Sequence, residues 1–118
     1  MDLYLVVKRP GQLAELLPAP PRIELEFAQS LVGGYIEVLP TKALVSEILR
    51  DVTMLVNEEG KPRGLPENLK LEFDVIRGPV VITLTNDEGD DHGLCLEHAE
   101  AVAKALDHYG VGLPQKVN

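Results

Sequence analysis

The residue types able to do chemistry gather most densely in Asp90-Asp91-His92-x-x-Cys95-x-x-His98. Zinc takes four N, S or O donors around a tetrahedron, and a Cys and a His three apart at a helix start can face one ion. The paired CxxC or HxxxH elements of a structural zinc site are missing, so the stretch reads as a solvated acidic loop and no metal is expected. Cys95 alone could serve as a nucleophile, since a helix N-terminus lowers a thiol pKa. The carboxylates of Asp87, Glu88, Asp90, Asp91, Glu97 and Glu100 disfavour its thiolate, and no His-Asp pair marks a base. A small residue at an N-cap position explains Cys95 better. Asn57-Glu58-Glu59-Gly60 sets two carboxylates side by side in a turn, whereas glycosidase-type chemistry holds its carboxyls roughly 5 to 10 Å apart across a substrate. The sequence contains no P-loop, no G-x-G-x-x-G and no G-x-S-x-G. It is therefore read as a non-enzyme, with no cofactor.

Binding is the chemistry that remains. Two short loops, Asn57 to Lys61 and Arg63 to Asn68, carry Gly60, Gly64 and Pro66, and loops held stiffly on a sheet are where binding residues tend to sit. Asn57, Lys61, Arg63, Asn68 and Arg77 offer amide and cationic donors suited to a phosphate or carboxylate. The competing account is that Gly and Pro merely shape connections and Asn68 holds a turn.

Charge sharpens the choice. The net charge is −8, from 19 acidic and 11 basic residues, which opposes the counterion release that drives nucleic-acid binding and any attraction to an anionic membrane. From Thr83 to Glu100 there are six acids and no Lys or Arg, while Lys61 to Arg77 holds four bases against three acids. An anion site belongs to the second stretch, and a surface for a basic partner to the first.

The elements that must position these residues follow from periodicity. At 118 residues and 45% apolar content the chain suits one domain able to form its own core, taken as residues 1–110 with a loose tail over 111–118. The lone Cys95 cannot form an internal disulfide, no apolar run nears the length of a membrane span, and the N-terminus shows no signal sequence. A cytoplasmic protein is expected. Leu3 to Val7 reads as a strand covered on both faces, and Gln12 to Leu17 as a strand or short helix ended by proline. Ile23, Phe27 and Leu31 recur as the stripe of a helix over 22–32, stopped by Gly33-Gly34 in the left-handed region. Strands follow over Tyr35 to Leu39 and Val52 to Val56, and Thr41 to Arg50 reads as a short helix capped by Thr41 or the near arm of a hairpin, with the helix favoured. Gly60 is assigned the φ > 0 position of its turn. Alternation of Leu71, Phe73 and Val75 predicts a half-exposed strand, and Val80 to Leu84 the most apolar strand of the second half. Leu96, Ala99, Val102, Ala103 and Leu106 mark the core stripe of a last helix closed by Gly110. The class is α+β, a largely antiparallel sheet of about five strands with two main helices on one face.

Leu31-Val32-Gly33-Gly34-Tyr35-Ile36-Glu37, Asn57-Glu58-Glu59-Gly60-Lys61, Gly64-Leu65-Pro66 with Asn68, and Asp74-Val75-Ile76 with Gly78-Pro79 occur in that order. In this the chain resembles a family of small uncharacterised domains common in phages and other bacterial mobile elements. It departs from their pattern between Pro40 and Arg50, where it carries extra residues. The resemblance implies a phage-type accessory protein in a bacterial cytoplasm, acting against host defences.

The expectation is a non-catalytic binding protein that sequesters a small anionic ligand, such as a nucleotide messenger, through Asn57, Lys61, Arg63, Asn68 and Arg77. The alternative is an acidic decoy whose 87–100 surface imitates nucleic-acid charge or caps a basic host defence protein. Neither membrane nor direct nucleic-acid binding is expected, and homo-oligomer formation is left open.

Overall fold

The computed structural model describes residues 2–39, 47–50, 52–72 and 74–114. The β-rich run at the N-terminus forms β1 (Tyr4–Lys8), which turns back into β2 (Glu15–Pro18). β2 lies at a sheet edge, the one place where Pro18, lacking an N–H, does no harm to a ladder. Then come α1 (Leu25–Val32), β3 (Ile36–Leu39), α2 (Glu47–Arg50), β4 (Thr53–Asn57), β5 (Glu67–Lys70), β6 (Val75–Arg77), β7 (Val80–Thr85), β8 (Asp91–His92) and α3 (Leu96–Tyr109). The main sheet runs β2-β1-β7-β4-β3, with β8 paired to the far end of β7, and its strand pairs are antiparallel. β5 and β6 form a separate antiparallel hairpin. The class is α+β, as the periodicity indicates.

The arrangement of the helices differs from expectation. Successive strand residues point to opposite faces, and both faces of this sheet are buried. Val6, Met54, Val56, Val80 and Ile82 pack with Val102 and Leu106 of α3, Leu49 of α2 and the β5–β6 hairpin. Leu5, Val7, Leu55 and Val81 pack on the other side against Ala28 and Val32 of α1. The two main helices therefore sit on opposite faces, because the central strands carry unbroken apolar runs (Leu5 to Val7, Met54 to Val56, Val80 to Ile82) that need cover on both sides. Each fully buried Val or Leu here contributes roughly 1.5 to 3 kcal/mol.

Several local expectations shift for identifiable reasons. α1 begins at Leu25, after Glu24 in extended conformation, so Ile23 lies in the preceding segment. Its buried face is Ala28 and Val32, not Phe27, which is exposed. Gly33 closes it at φ 80°, in the left-handed region as expected. Leu96, assigned to the stripe of α3, is 48% exposed; Ala99, Val102, Ala103 and Leu106 make the contact. The alternation read as a strand around Leu71 to Val75 is instead the turn of the β5–β6 hairpin, closed by the Leu71 N–H donating to the Asp74 carbonyl at 2.8 Å. Asp74 turns the chain by accepting the Val75 N–H on its own carboxylate, at 2.9 Å. Phe73 lies outside the described residues. So do residues 40–46, on which most of the helix expected over 41–50 falls; its last four residues are the helical α2.

Candidate functional site

The two loops singled out for binding are well ordered by hydrogen bonds, and those bonds occupy the side chains expected to bind. Asn57 ends β4 and is nearly buried. Its Nδ2 donates to the Val32 carbonyl at 3.1 Å, and its Oδ1 accepts the Glu59 N–H at 2.8 Å. It thus ties the end of α1 to the turn that follows β4. Gly60 does not occupy the left-handed region. A Cβ there would stand 2.5 Å from the Arg77 carbonyl oxygen, so the glycine is required by close approach of the β6 backbone.

Asn68 is fully buried and knits three segments together. Its Nδ2 donates to the Lys8 carbonyl at 2.7 Å and to the Gly78 carbonyl at 2.8 Å, while its Oδ1 accepts from Lys8 Nζ at 2.7 Å. Lys8 is itself fully buried at the end of β1, and it also donates to the Arg9 carbonyl at 2.9 Å. Burial pulls the Lys8 ammonium below its ordinary range, and the Asp107 carboxylate on α3 acts in the opposite, upward sense. Nothing in the residue pattern signals this pairing, because a lysine at the end of an apolar strand looks like its solvent-facing terminus.

The cations are placed differently from a converging pocket. Lys61 pairs with Asp74, Arg63 approaches Glu59 at 4.0 Å, and Arg77 meets Glu67 at 3.3 Å while donating to the Leu65 carbonyl. Lys61 and Arg77 line one cleft of about 140 Å³, which Glu37, Glu58 and Asp74 also line. Arg63 lies in a separate depression with Tyr35 and Gln29. Of the five predicted residues, the structure therefore brings Lys61, Arg77 and the edge of Asn57 to one cleft. Asn68 is interior, and Arg63 belongs to the neighbouring depression. A drug-sized ligand needs roughly 300 to 1,000 Å³, so the shared cleft admits a phosphate-sized group rather than a whole nucleotide.

The acidic stretch is also ordered. Asn86 Oδ1 accepts the N–H groups of Glu88 at 3.0 Å and Asp90 at 2.9 Å, fixing the β7–β8 turn so that Asp87 and Glu88 project into solvent. Asp90 pairs with Arg22 at 2.8 Å, and Asp91 accepts the Thr85 hydroxyl at 2.6 Å. Cys95 precedes α3 at the N-cap, exposed, with no side-chain capping bond. Among the described residues, no three His, Cys, Asp or Glu side chains converge as metal ligands.

Beside this turn lies a feature that the sequence reading missed. A groove of about 420 Å³ runs between Asp90 and Asp91 and an apolar floor that includes Leu25, Ile36, Val38 and Leu55. Its acidic wall and apolar floor lie 35 to 66 positions apart in the chain, and the placement of β3 two strands from β7 unites them. The one available signal was Val38, an apolar residue of an edge strand.

Residues 3–107 match the family described as a domain of unknown function, DUF3846. The chain belongs to that family. No curated protein and no solved structure matches it. Among the described residues, no helix is long and apolar enough to cross a membrane.

Proposed function

We propose that this DUF3846 chain is a non-catalytic binding module that presents its acidic β7–β8 turn to a basic partner protein. The observation that carries this reading is the contrast in charge pairing. Lys61, Arg63 and Arg77 each stand beside a carboxylate, whereas Asp87 and Glu88 are exposed on a turn braced by Asn86, with no ion pair among the described residues. Rigid display matters, because an array of carboxylates already in place loses little entropy on binding. In the phage-type setting that the resemblance implies, the partner class is a basic host defence protein in a bacterial cytoplasm. Titration with a Lys/Arg-rich peptide tests the reading. Replacing Asp87 and Glu88 by Asn and Gln should weaken binding several-fold and flatten its salt dependence, while Arg63→Ala leaves it unchanged. No measurable binding at low salt would remove the proposal.

A second reading keeps the small anionic ligand, such as a nucleotide messenger, with a phosphate group held between Lys61 and Arg77 and Arg63 in the depression next to it. What favours it is that Lys61 and Arg77 share a cleft and that exposed ion pairs are worth only about 0 to 1 kcal/mol, so a phosphate could displace Asp74 and Glu67. Asn57 and Asn68 then act as scaffold. Calorimetry across a nucleotide panel decides it: Arg77→Ala should lower affinity by roughly ten- to hundredfold, the worth of one charge-assisted hydrogen bond.

A further inference from the structure

The sheet face under α1 is only partly covered. α1 packs on β4, β7 and β3, but beside its first turn the face continues as the groove floored by Ile36, Val38 and Leu55. Val38 stands opposite Leu55 in the β3–β4 register, so the two share that face. Val38 is 59% exposed and Leu25, at the start of α1, is 60% exposed. Two large apolar side chains thus stand in water at one groove. Across from them lies the end of the acidic turn, and the titratable groups of the lining are Arg22 against Glu24, Asp90 and Asp91, a net of −2 from one base and three acids.

Among the described residues, the backbone beside the groove also has an edge without a strand partner. Among the described residues β3 pairs only with β4, so its outer edge presents N–H and C=O groups to any added strand. The opposite edge, β2, is less suited, because Pro18 has no N–H to give and the neighbouring Ala14 N–H is held by Asp107 at 2.7 Å. We propose that the groove docks an extended segment of a partner protein, alternating apolar and basic residues, which adds as a strand to the free edge of β3. Apolar side chains of that segment seat against Val38 and Leu25, in the manner of strand addition with a side-chain pocket. Lysine or arginine side chains reach Glu24 and on the other face Glu37, while Asp91 across the groove adds longer-range attraction. Asp90 is the less available acid, being held by Arg22. The proposal rests on the acidic-module reading and adds to it the requirement for an apolar seat. A second copy of this chain is disfavoured as occupant, since pairing β3 with itself would bring Glu37 and two acidic turns together.

The test uses three capped, fluorescein-labelled octapeptides: alternating lysine and valine, all lysine, and alternating glutamate and valine. Binding is followed by anisotropy and mapped by amide chemical shifts in the whole chain. The lysine–valine peptide should bind, the other two at least tenfold more weakly, with shifts concentrated at residues 36–39, Leu25 and Asp91. Val38→Lys should weaken it by about tenfold or more, through lost apolar burial and a misplaced charge. Glu24→Gln with Asp91→Asn should weaken it several-fold and reduce the salt dependence. Should Val38→Lys unfold the protein, Leu25→Ser at an exposed helical position carries the same expectation. Equal binding of all-lysine and lysine–valine peptides, with Val38→Lys silent, overturns the groove while leaving the acidic module standing. Absence of binding by either basic peptide removes both. A dimeric parent made monomeric by Val38→Lys assigns the edge to a second copy and also overturns the proposal.

Discussion

Asn68→Ala should be among the most damaging single substitutions in this chain, although Asn68 stands in a loop-flanking position and was singled out as a ligand donor. The change deletes three hydrogen bonds at once, to Lys8 Nζ, the Lys8 carbonyl and the Gly78 carbonyl. The two neutral bonds are worth about 1 kcal/mol each and the bond to the ammonium about 1.5 to 3, giving a loss of roughly 3.5 to 5 kcal/mol. A domain of this size holds roughly 6 to 18 kcal/mol in all, at about 0.05 to 0.15 per residue. The substitution therefore removes a large fraction of stability and should lower Tm by about 10 to 25 °C. Urea unfolding of a double-mutant cycle isolates the buried pair. Lys8→Met and Asn68→Leu each break the same Lys8–Asn68 bond, so their sum counts it twice, and the double variant should cost less than that sum by about 1.5 to 3 kcal/mol. Strict additivity, or a loss below about 1 kcal/mol for Asn68→Ala, would refute the account of Asn68 as the bolt between β1, β5 and the turn at Gly78. It would also return Asn68 to the list of residues free to bind a ligand.

Two further outcomes follow from the interior. Thr83 is fully buried on the α1 face of β7, and its hydroxyl is the buried side-chain polar atom without a hydrogen-bond partner among the described residues. Thr83→Val should therefore raise stability by about 1 kcal/mol, measured by thermal or urea unfolding; a decrease would mean that the hydroxyl is served by a partner. Lys8 supplies a pH dependence. Its pKa is lowered in the native state from 10.5, so between the lowered value and 10.5 the unfolded chain binds more protons and stability rises with pH. The penalty for burying the charge is fully present below that window and is relieved across it. Lys8→Met should lose this rise, so its stability relative to the parent falls from pH 7 towards pH 10. A difference that does not change with pH would refute it.

Much of the fold was legible because it rests on periodicity. The unbroken apolar run from Leu5 to Val7 and the one from Val80 to Ile82 became adjacent central strands, buried on both faces, and Gly33 stopped α1 where the sequence placed the stop. The same runs carried the information that was misread. Strands apolar at every position require cover on two sides, and that requirement, applied to Leu5-Val6-Val7, would have set α1 and α3 on opposite faces. The turn at Leu71 to Asp74 was missed because alternation over five residues cannot tell a strand from a hairpin whose two arms happen to continue the pattern.

Site residues were legible in type but not in pairing, and for binding the pairing decides. Lys61, Arg63 and Arg77 look in the sequence like a concentration of positive charge, since their neighbours Glu59, Glu67 and Asp74 are counted as a background of acids. Folding puts each acid beside a base and leaves a cleft of nearly balanced charge. Asn57 and Asn68 show the same effect for amides: Asn68 directs both of its amide N–H donors at the Lys8 and Gly78 carbonyls, and Asn57 is buried with its amide tied to the Val32 carbonyl. The groove by β3 is the converse case. Leu25, Val38 and Asp91 are unremarkable one by one, and none lies within ten positions of another. Their meaning comes from an edge strand that leaves Val38 in water two strands away from an acidic turn. A residue with unused capacity at an edge is a better guide to binding than a residue of suitable type in a loop. By that criterion Val38 and Asp91, rather than Arg63 and Asn68, are the first positions to change.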